Sequence, residues 1–447
     1  MSNTFYIRTY GCQMNQRDSE AVACLLEERG LRQIDNEETA DIILFNTCSV
    51  RDQAERKVFG KVGLLKKLKR KRPEIVIGVM GCMAQNYGAA ILERCPHVDL
   101  VVGTDQLHNI PEILENVLDG NRGVVHTQVG TEVMGQLNGH KPGRMSAYVS
   151  VMRGCNQFCT YCIVPYVRGR EKSRPIDEIV AEVRRLVAQG TREIVLLGQN
   201  VTAYGLAEAR KEGCYTPEIS PFADLLRAVN DVPGVVRIRF TSPHQKFMNQ
   251  AFIDAVCDLP KVCKSFHLPL QSGSNRVLKQ MKRGYTVESY LSCFRQIKDR
   301  LADVTFSTDI IVGFPGETEE DFQATKRVME EVGYDMAYIF KYSPRTGTVA
   351  EKTMPDDVPK AVKQERNQIL LATLDEGVCR SNTQYVGRDL EVMVEGPSKR
   401  NPERWTGRSD NNKVCIFEIL PELKPGDLVK VHIERTTSHS LFGCVCQ

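Results

Sequence analysis

At 447 residues the chain is too long for one ordinary domain, and its 42% hydrophobic and 26% charged residues exclude a disordered chain. No run reaches 18 apolar residues and the N-terminus "MSNTFYIRTYGCQ" has no basic region followed by an apolar stretch, so a cytoplasmic protein without a membrane span is expected. A net charge of +3 says little about a nucleic-acid partner, which leaves the distribution of charge to speak.

The first 120 residues alternate short apolar runs with amphipathic segments. "TFYIRTY" (4–10), "ADIILFNT" (40–47), "EIVIGVMG" (74–81) and "VDLVVG" (98–103) read as strands, with helices beginning near Asp18 and Asp52. Such an order predicts a doubly wound parallel sheet. Cys12, Cys48 and Cys82 each follow one of these strands and so should emerge at the carboxyl edge of one sheet, where open α/β folds build their sites. Three buried cysteines acting as small hydrophobes is the plainer alternative, and it is the reading given to Cys24 on its helix. The run "KKLKRKR" (66–72) is either a phosphate-binding surface or a solvated helix face.

Residues 121–144, rich in glycine and polar side chains, read as a linker. From 146 the alternation restarts, with strands at "SAYVSVM", "REIVLLG", "VVRIRFT", "SFHLPLQ", "VTFSTDIIVGF" and "YDMAYIFKY". Helical patterns such as "PIDEIVAEVRRLVAQG" and "TEEDFQATKRVMEEVG" separate them. Six βα units predict a parallel barrel or a partial one, with functional groups at the carboxyl ends of its strands. Near 378 the period changes to two. "GRDLEVMVEG", "KVCIFEI" and "GDLVKVHIERTTSHSLFGCVC", separated by Gly and Pro turns, predict a small antiparallel barrel. The expected domains are therefore 3–119, 141–375 and 378–446.

The segment "GCNQFCTYC" (154–162) follows the first strand of the second unit and spaces Cys155, Cys159 and Cys162 as C-x3-C-x2-C. A closed structural zinc site has four protein ligands, so three suggest an open site or a distant fourth ligand. In a large cytosolic chain such clustering among sixteen cysteines points to metal or catalysis more than to disulfides. Three thiolates on a 4Fe-4S cluster leave one iron without a protein ligand, and soft donors suit iron and sulfide. An open iron can chelate S-adenosylmethionine and deliver one electron to its sulfonium.

This spacing, with aromatic Tyr161 before the last cysteine, resembles the radical S-adenosylmethionine superfamily. Further segments, "TYGCQMNQRDSE", "FNTCSVR", "GVMGCMAQ", "RGCNQFCTYCIVPYVRGREKSRP", "LLGQNVTAYG", "HLPLQSGSNRVLKQMKRGYT", "DIIVGFPGET" and "GRSDNNKVCIFE", together resemble the methylthiotransferases of the MiaB type. The likeness runs from residue 4 to about 444. It implies an N-terminal domain whose Cys12, Cys48 and Cys82 hold an auxiliary 4Fe-4S cluster carrying the sulfur to be inserted. It implies a (β/α)6 partial barrel whose Cys155, Cys159 and Cys162 hold the radical-generating 4Fe-4S cluster, with Tyr161 near the adenine of S-adenosylmethionine. A C-terminal TRAM domain would bind RNA. The implied reaction is methylthiolation of adenine C-2 in isopentenyl-adenosine at position 37 of tRNA. It uses two S-adenosylmethionine molecules, one as methyl donor and one as radical source. An electron donor and a sulfur source are implied as partners, with a monomer expected.

Gln199 and Gln271 at strand ends are candidates for binding S-adenosylmethionine or the base, or for capping local turns. Gly313, with Gly316, is a candidate for a tight turn close to the cofactor or for a turn with no ligand. Arg168, Arg170 and Arg174 are expected either to contact RNA phosphates or to pair with Glu171 and neighbouring acids. Cys214, Cys257, Cys263, Cys293, Cys379 and Cys415 read as structural, and Cys444 and Cys446, on one face of a strand, as filling the core of the last barrel or as a metal or redox pair. Relatives acting on threonylcarbamoyl-adenosine or on a ribosomal protein aspartate, and a non-catalytic iron-sulfur carrier, are the rival readings.

Overall fold

Strand β1 (Thr4–Tyr10) leads through helix Gln13–Glu28 to β2 (Arg32–Gln33) and β3 (Ile42–Thr47). Helix Asp52–Lys71, β4 (Val76–Met80), helix Cys82–Tyr87, β5 (Leu100–Val102) and β6 (Val124–His126) follow. These are seen in a computed structural model that describes residues 4–49, 52–129, 137 and 139–446, with the side chains of 52–54 left undescribed. Val50 and Arg51 of "FNTCSVR", residue 3 of the expected first domain, and 130–136 and 138 of the expected linker lie outside these residues.

All six strands run parallel, in the order β2-β1-β3-β4-β5-β6. The central strands "IILFNT" and "VIGVM" are buried throughout, which is why they read as near-continuous apolar runs. The order reverses between β1 and β3, so the carboxyl ends of these two strands open the crevice of the sheet. Two strands were not anticipated. Both β2 and β6 are edge strands of two or three residues, too short to show a period, and β6 falls inside the stretch read as linker.

The second unit contains β7 (Ser146–Ser150), β10 (Glu193–Leu197) and β11 (Arg237–Phe240) in one parallel sheet. A second sheet holds β12 (Ser265–His267), β13 (Thr305–Val312) and β14 (Met336–Lys341). An isolated parallel bridge between Ile238 of β11 and Val262, three residues ahead of β12, brings the two sheets together, leaving β7 and β14 as the open edges of a partial (β/α)6 barrel. Ile194 and Leu196 face the outer helices, while Val195 and Leu197 face inward. The helices start and stop as their sequences dictate. In "TEEDFQATKRVMEEVG", Thr318 and Asp321 form a reciprocal cap for helix Glu319–Val332, and Gly333 ends it at φ 65°. A pair not foreseen, β8 (Met152–Arg153) with β9 (Lys172–Ser173), is antiparallel and clamps the base of the three-cysteine loop.

Helix Lys360–Thr383 crosses from the partial barrel to the last unit, where β15 (Asp389–Pro397), β16 (Arg404–Ser409), β17 (Val414–Glu418), β18 (Leu428–Thr436) and β19 (Leu441–Val445) close in the order β15-β16-β17-β19-β18. The expected antiparallel barrel has one parallel pair, β17 with β19. A closed ring of five strands cannot alternate direction throughout, so one parallel pair is unavoidable. Cys444 sits on the outer face of β19, between the inward-facing Leu441 and Val445 of that strand, and both it and Cys446 are half-buried; neither fills the barrel core. The end of β16 and the turn after it insert beneath the partial barrel, where Arg237 donates to the carbonyl of Arg408 at 2.5 Å and Arg239 to that of Ser409 at 3.0 Å. Thr305 donates to the carbonyl of Asn411 at 2.7 Å. The small barrel thus seals the amino-terminal end of the strands, opposite the cysteine loop.

Candidate functional site

Cys12 caps helix Gln13–Glu28, Cys48 follows β3 directly, and Cys82 opens helix Cys82–Tyr87. The three therefore meet at the carboxyl edge of adjacent strands, as their spacing predicts. Two buried asparagines fix the approach. Asn15 Nδ2 donates to Asn46 Oδ1 at 2.9 Å, and Asn46 Nδ2 donates to the Asn15 carbonyl at 2.9 Å. The Cys12 thiol lies 3.3 Å from Asn15 Oδ1. Gly81 stands at φ 89°, and a Cβ there would fall 2.2 Å from Asn46 Oδ1, so only glycine admits this packing.

The thiols feel one another. A hydrogen bond with Cys48 and the nearby Arg168 cation draw the Cys12 thiol down to about 6, against the loss of hydration that opposes ionisation. Burial pushes the Cys82 thiol up, Arg168 opposes that, and Cys12 and Asp18 reinforce it. Arg168 is itself buried. Its Nε donates to Cys82 Sγ at 3.3 Å and its Nη2 to Asp18 Oδ2 at 2.7 Å.

The second triad lies on the clamped loop. Cys155 N donates to the Gly169 carbonyl at 3.1 Å, and Cys162 N to that of Cys159 at 3.0 Å. Thr160 ties the loop to the barrel rim, its N bonded to the Met281 carbonyl at 3.1 Å and its carbonyl to Ala350 N at 2.7 Å. Burial pushes the Cys155 thiol up to about 12 and raises Cys162 as well, with the neighbouring thiols adding to both. Buried Arg283 Nη1 lies 3.5 Å from Cys159 Sγ and 3.5 Å from the Tyr161 hydroxyl, while its Nε donates to the Tyr285 hydroxyl at 3.0 Å. Nothing in its spacing from the cysteines marks Arg283, because 121 residues separate it from Cys162; Asn15, Asn46 and Asp18 stand within six residues of Cys12 or Cys48, but their partners lie on other elements.

The two triads are neighbours. Ile163, the residue after Cys162, packs with Val167 directly on Cys82. Thr104 Oγ1 donates to the Val167 carbonyl at 2.6 Å. On the other side Met14 packs with Val195, Leu197 and Tyr148 on the inner face of the barrel strands. Buried Glu182 completes the junction, meeting Arg174 at 2.7 Å, His140 at 2.6 Å and Arg17 at 3.8 Å. Among the described residues no three His, Cys, Asp or Glu side chains stand close enough to grip a single metal ion. Three thiolates in each group leave room for a further ligand, and soft sulfur donors suit iron and sulfide.

Other sequence candidates divide. Tyr161 packs against Val277, Met281, Phe314, Tyr342 and Ala350 at the rim. Gln199 follows β10, and its buried Oε1 meets no donor among the described residues; Asn200 Nδ2 and His244 Nε2 are likewise unpaired. Gln271 holds a left-handed backbone at φ 68° and bridges to Ile310. Gly313, at φ 69°, is crowded by Lys363, and its N donates to Glu317 Oε2 at 2.7 Å, so the turn is closed by protein groups. Arg168 and Arg174 are buried against acids and do not face a phosphate, whereas Arg170 is exposed over the Phe158 ring at 4.3 Å. In the basic run, Lys69 pairs with Asp99 and Arg72 with Asp41, and Lys66, Lys67, Arg70 and Lys71 remain exposed. No helix among the described residues is long and apolar enough to cross a membrane.

Comparison with known proteins agrees with this architecture. The family model described as "Uncharacterized protein family UPF0004" matches residues 4–103, the "Radical SAM superfamily" model 149–329 and the "TRAM domain" model 383–446. Among solved structures, the radical S-adenosylmethionine methyltransferase TsrM from Kitasatospora setae superimposes with a TM-score of 0.56. It is 13% identical, covering 76% of this chain and 73% of that one, a likeness of fold alone. The chain is 46% identical to the tRNA-2-methylthio-N(6)-dimethylallyladenosine synthase of Opitutus terrae, over 99% of this chain and 97% of that protein. To the protein of the same name in Akkermansia muciniphila it is 44% identical, over 99% and 98%. With three matched domains and such identity over its whole length, the chain belongs to the tRNA-2-methylthio-N(6)-dimethylallyladenosine synthase family.

Proposed function

We propose that this chain replaces the hydrogen on adenine C-2 of isopentenyl-adenosine, at position 37 of tRNA, with a methylthio group. It consumes one S-adenosylmethionine as methyl donor and a second as radical source. The observation that carries this reading is the packing of Ile163 and Val167 on Cys82, which sets two open cysteine triads side by side. In it Cys155, Cys159 and Cys162 hold one 4Fe-4S cluster and Cys12, Cys48 and Cys82 a second, in cytoplasmic domains near 3–119 and 141–375, with 378–446 for RNA. When bound, the first supplies the electron that cleaves S-adenosylmethionine and the second presents the sulfur.

The protein's part is to bind, orient and exclude water. The rim offers Gln199, Asn200 and His244 with unpaired buried polar atoms, a cradle that suits the ribose and amino-acid groups of S-adenosylmethionine. Gln271 and the Gly313 turn complete the rim on the next strands, and Tyr161 gives the adenine an aromatic wall. Met14 fills the inner face beside Cys12 and keeps water from the space between the triads. Both triads belong to one chain, so a monomer suffices. The reaction also consumes electrons and a sulfur atom, and an electron donor and a sulfur source are its further partners.

Nucleoside mass spectrometry of isopentenylated tRNA, after anaerobic incubation with reconstituted protein, reductant and S-adenosylmethionine, tests this. The expected result is a mass gain equal to methylthio in place of hydrogen. Formation of 5′-deoxyadenosine without that gain would move the search to another substrate. For the RNA surface, reversing charge at Lys66, Lys67, Arg70 and Lys71 is expected to weaken tRNA binding and flatten the slope of log affinity against log salt by up to about 3. An unchanged slope would return the helix to an ordinary solvated face.

A further inference from the structure

Arg168 is buried, belongs to the barrel, and spends its guanidinium on the other domain. One edge meets the sulfur of Cys82 at 3.3 Å and the other meets Asp18 at 2.7 Å. An interface ion pair needs only the carboxylate. Here the cation is divided between a carboxylate and a candidate cluster ligand, in a site where solvent screens little. Asp18 opposes it, since its carboxylate, 2.7 Å from the far edge of the same guanidinium, offsets part of the positive charge brought to Cys82.

We propose that Arg168 and Asp18 are a matched pair of positioning residues that set the reduction potential of the group held by Cys12, Cys48 and Cys82. The inference rests on the reading that this triad holds an iron-sulfur cluster. Adding an electron makes such a group more negative. An N–H donated to a ligand sulfur, with a full positive charge behind it, stabilises the reduced form, and a nearby carboxylate destabilises it. Because Arg168 lies six residues beyond Cys162, on the segment whose Ile163 and Val167 pack on Cys82, the barrel triad's own loop delivers this charge to the other triad. The arrangement lets the two centres differ in potential although they are neighbours.

The test is a dithionite redox titration of the reconstituted holoprotein followed by electron paramagnetic resonance. The barrel centre, identified by its spectral response to added S-adenosylmethionine, serves as internal reference. Arg168→Gln is expected to lower the potential of the auxiliary centre and Asp18→Asn to raise it, with Arg168→Lys between Arg168→Gln and the unsubstituted protein. Opposite shifts from the two partners of one ion pair distinguish electrostatic tuning from mere loosening of the interface, which would move both the same way. Should Arg168→Gln fail to fold, the nearly isosteric Asp18→Asn carries the test alone. An unchanged potential, or shifts of the same sign, overturns the proposal. The Cys12, Cys48 and Cys82→Ala variant is measured alongside. If it binds as much iron as the unsubstituted protein, the reading of the triad itself has failed, and the proposal with it.

Discussion

Cys159→Ala abolishes cleavage of S-adenosylmethionine to 5′-deoxyadenosine, whereas Cys48→Ala retains cleavage and makes no methylthio product. This is the expected outcome of an anaerobic assay that quantifies both. The asymmetry follows from the separation of the triads. Cys159 sits between Cys155 and Cys162 on a loop clamped by β8 and β9, and Arg283 is aimed at its sulfur, so removing it empties the barrel site. Cys48 follows a strand of the other sheet, and its partner is Cys12. Losing it disturbs the N-terminal site while the loop, its Thr160 anchors and the rim polar groups stay in place. Product formed at the normal rate by Cys48→Ala would refute the assignment of the N-terminal triad. A loss of cleavage equal to that of Cys159→Ala would refute the division of labour.

Much of this arrangement is legible in the sequence for simple reasons. A buried parallel strand is a short apolar run, and a residue just past its end must lie at the sheet's carboxyl edge, so Cys12, Cys48 and Cys82 are placed by local pattern alone. The cysteine loop is equally local. What the sequence hides is long-range. Asn15 and Asn46 are 31 residues apart and join only when β1 and β3 pair, and Arg283 reaches Cys159 across 124 residues. Arg168 and Arg174 lie in a run that suggests a phosphate surface, but a charge run does not reveal that an acid from another element awaits two of its members. Edge strands such as β6 are too short for a period to emerge.

The segment "GRSDNNKVCIFE" shows the same limit from the other side. As sequence it distinguishes a family branch and carries no physical message. In the structure it spans the turn of the β16–β17 hairpin, whose carbonyls at and beside the turn receive Arg237, Arg239 and Thr305 from the base of the barrel strands. Its Gly407 lies against β15, where a Cβ would stand 2.5 Å from the Met393 carbonyl. The RNA-binding-like barrel is therefore fixed to the catalytic barrel and not tethered loosely. This lets an RNA held by one be presented to the other in a defined orientation.

Gly154→Ala is expected to remove the activity of the barrel triad while leaving the fold intact. Gly154 opens the cysteine loop at φ 76°, and an added Cβ would lie 2.0 Å from the Arg170 carbonyl oxygen, 2.5 Å from its carbon and 2.6 Å from the Gly169 oxygen. These are backbone atoms on the other limb of the loop and cannot rotate away, unlike the Lys363 side chain that crowds Gly313. At Gly316, with a similar φ of 72° and nothing nearer than 3.9 Å, alanine costs only the left-handed backbone, about 1 kcal/mol. At Gly154 the limbs must part, breaking the bond from Cys155 N to the Gly169 carbonyl and shifting Arg168 from Cys82. Iron bound per chain should fall at both triads, S-adenosylmethionine cleavage should drop by at least about a hundredfold if the reacting groups move by an ångström, and the far-ultraviolet circular dichroism should not change. Gly316→Ala is the matched control, expected to keep its iron. Full iron content and cleavage in Gly154→Ala would mean that the loop tolerates separation of its limbs and that the close approach at this glycine does not hold the site together.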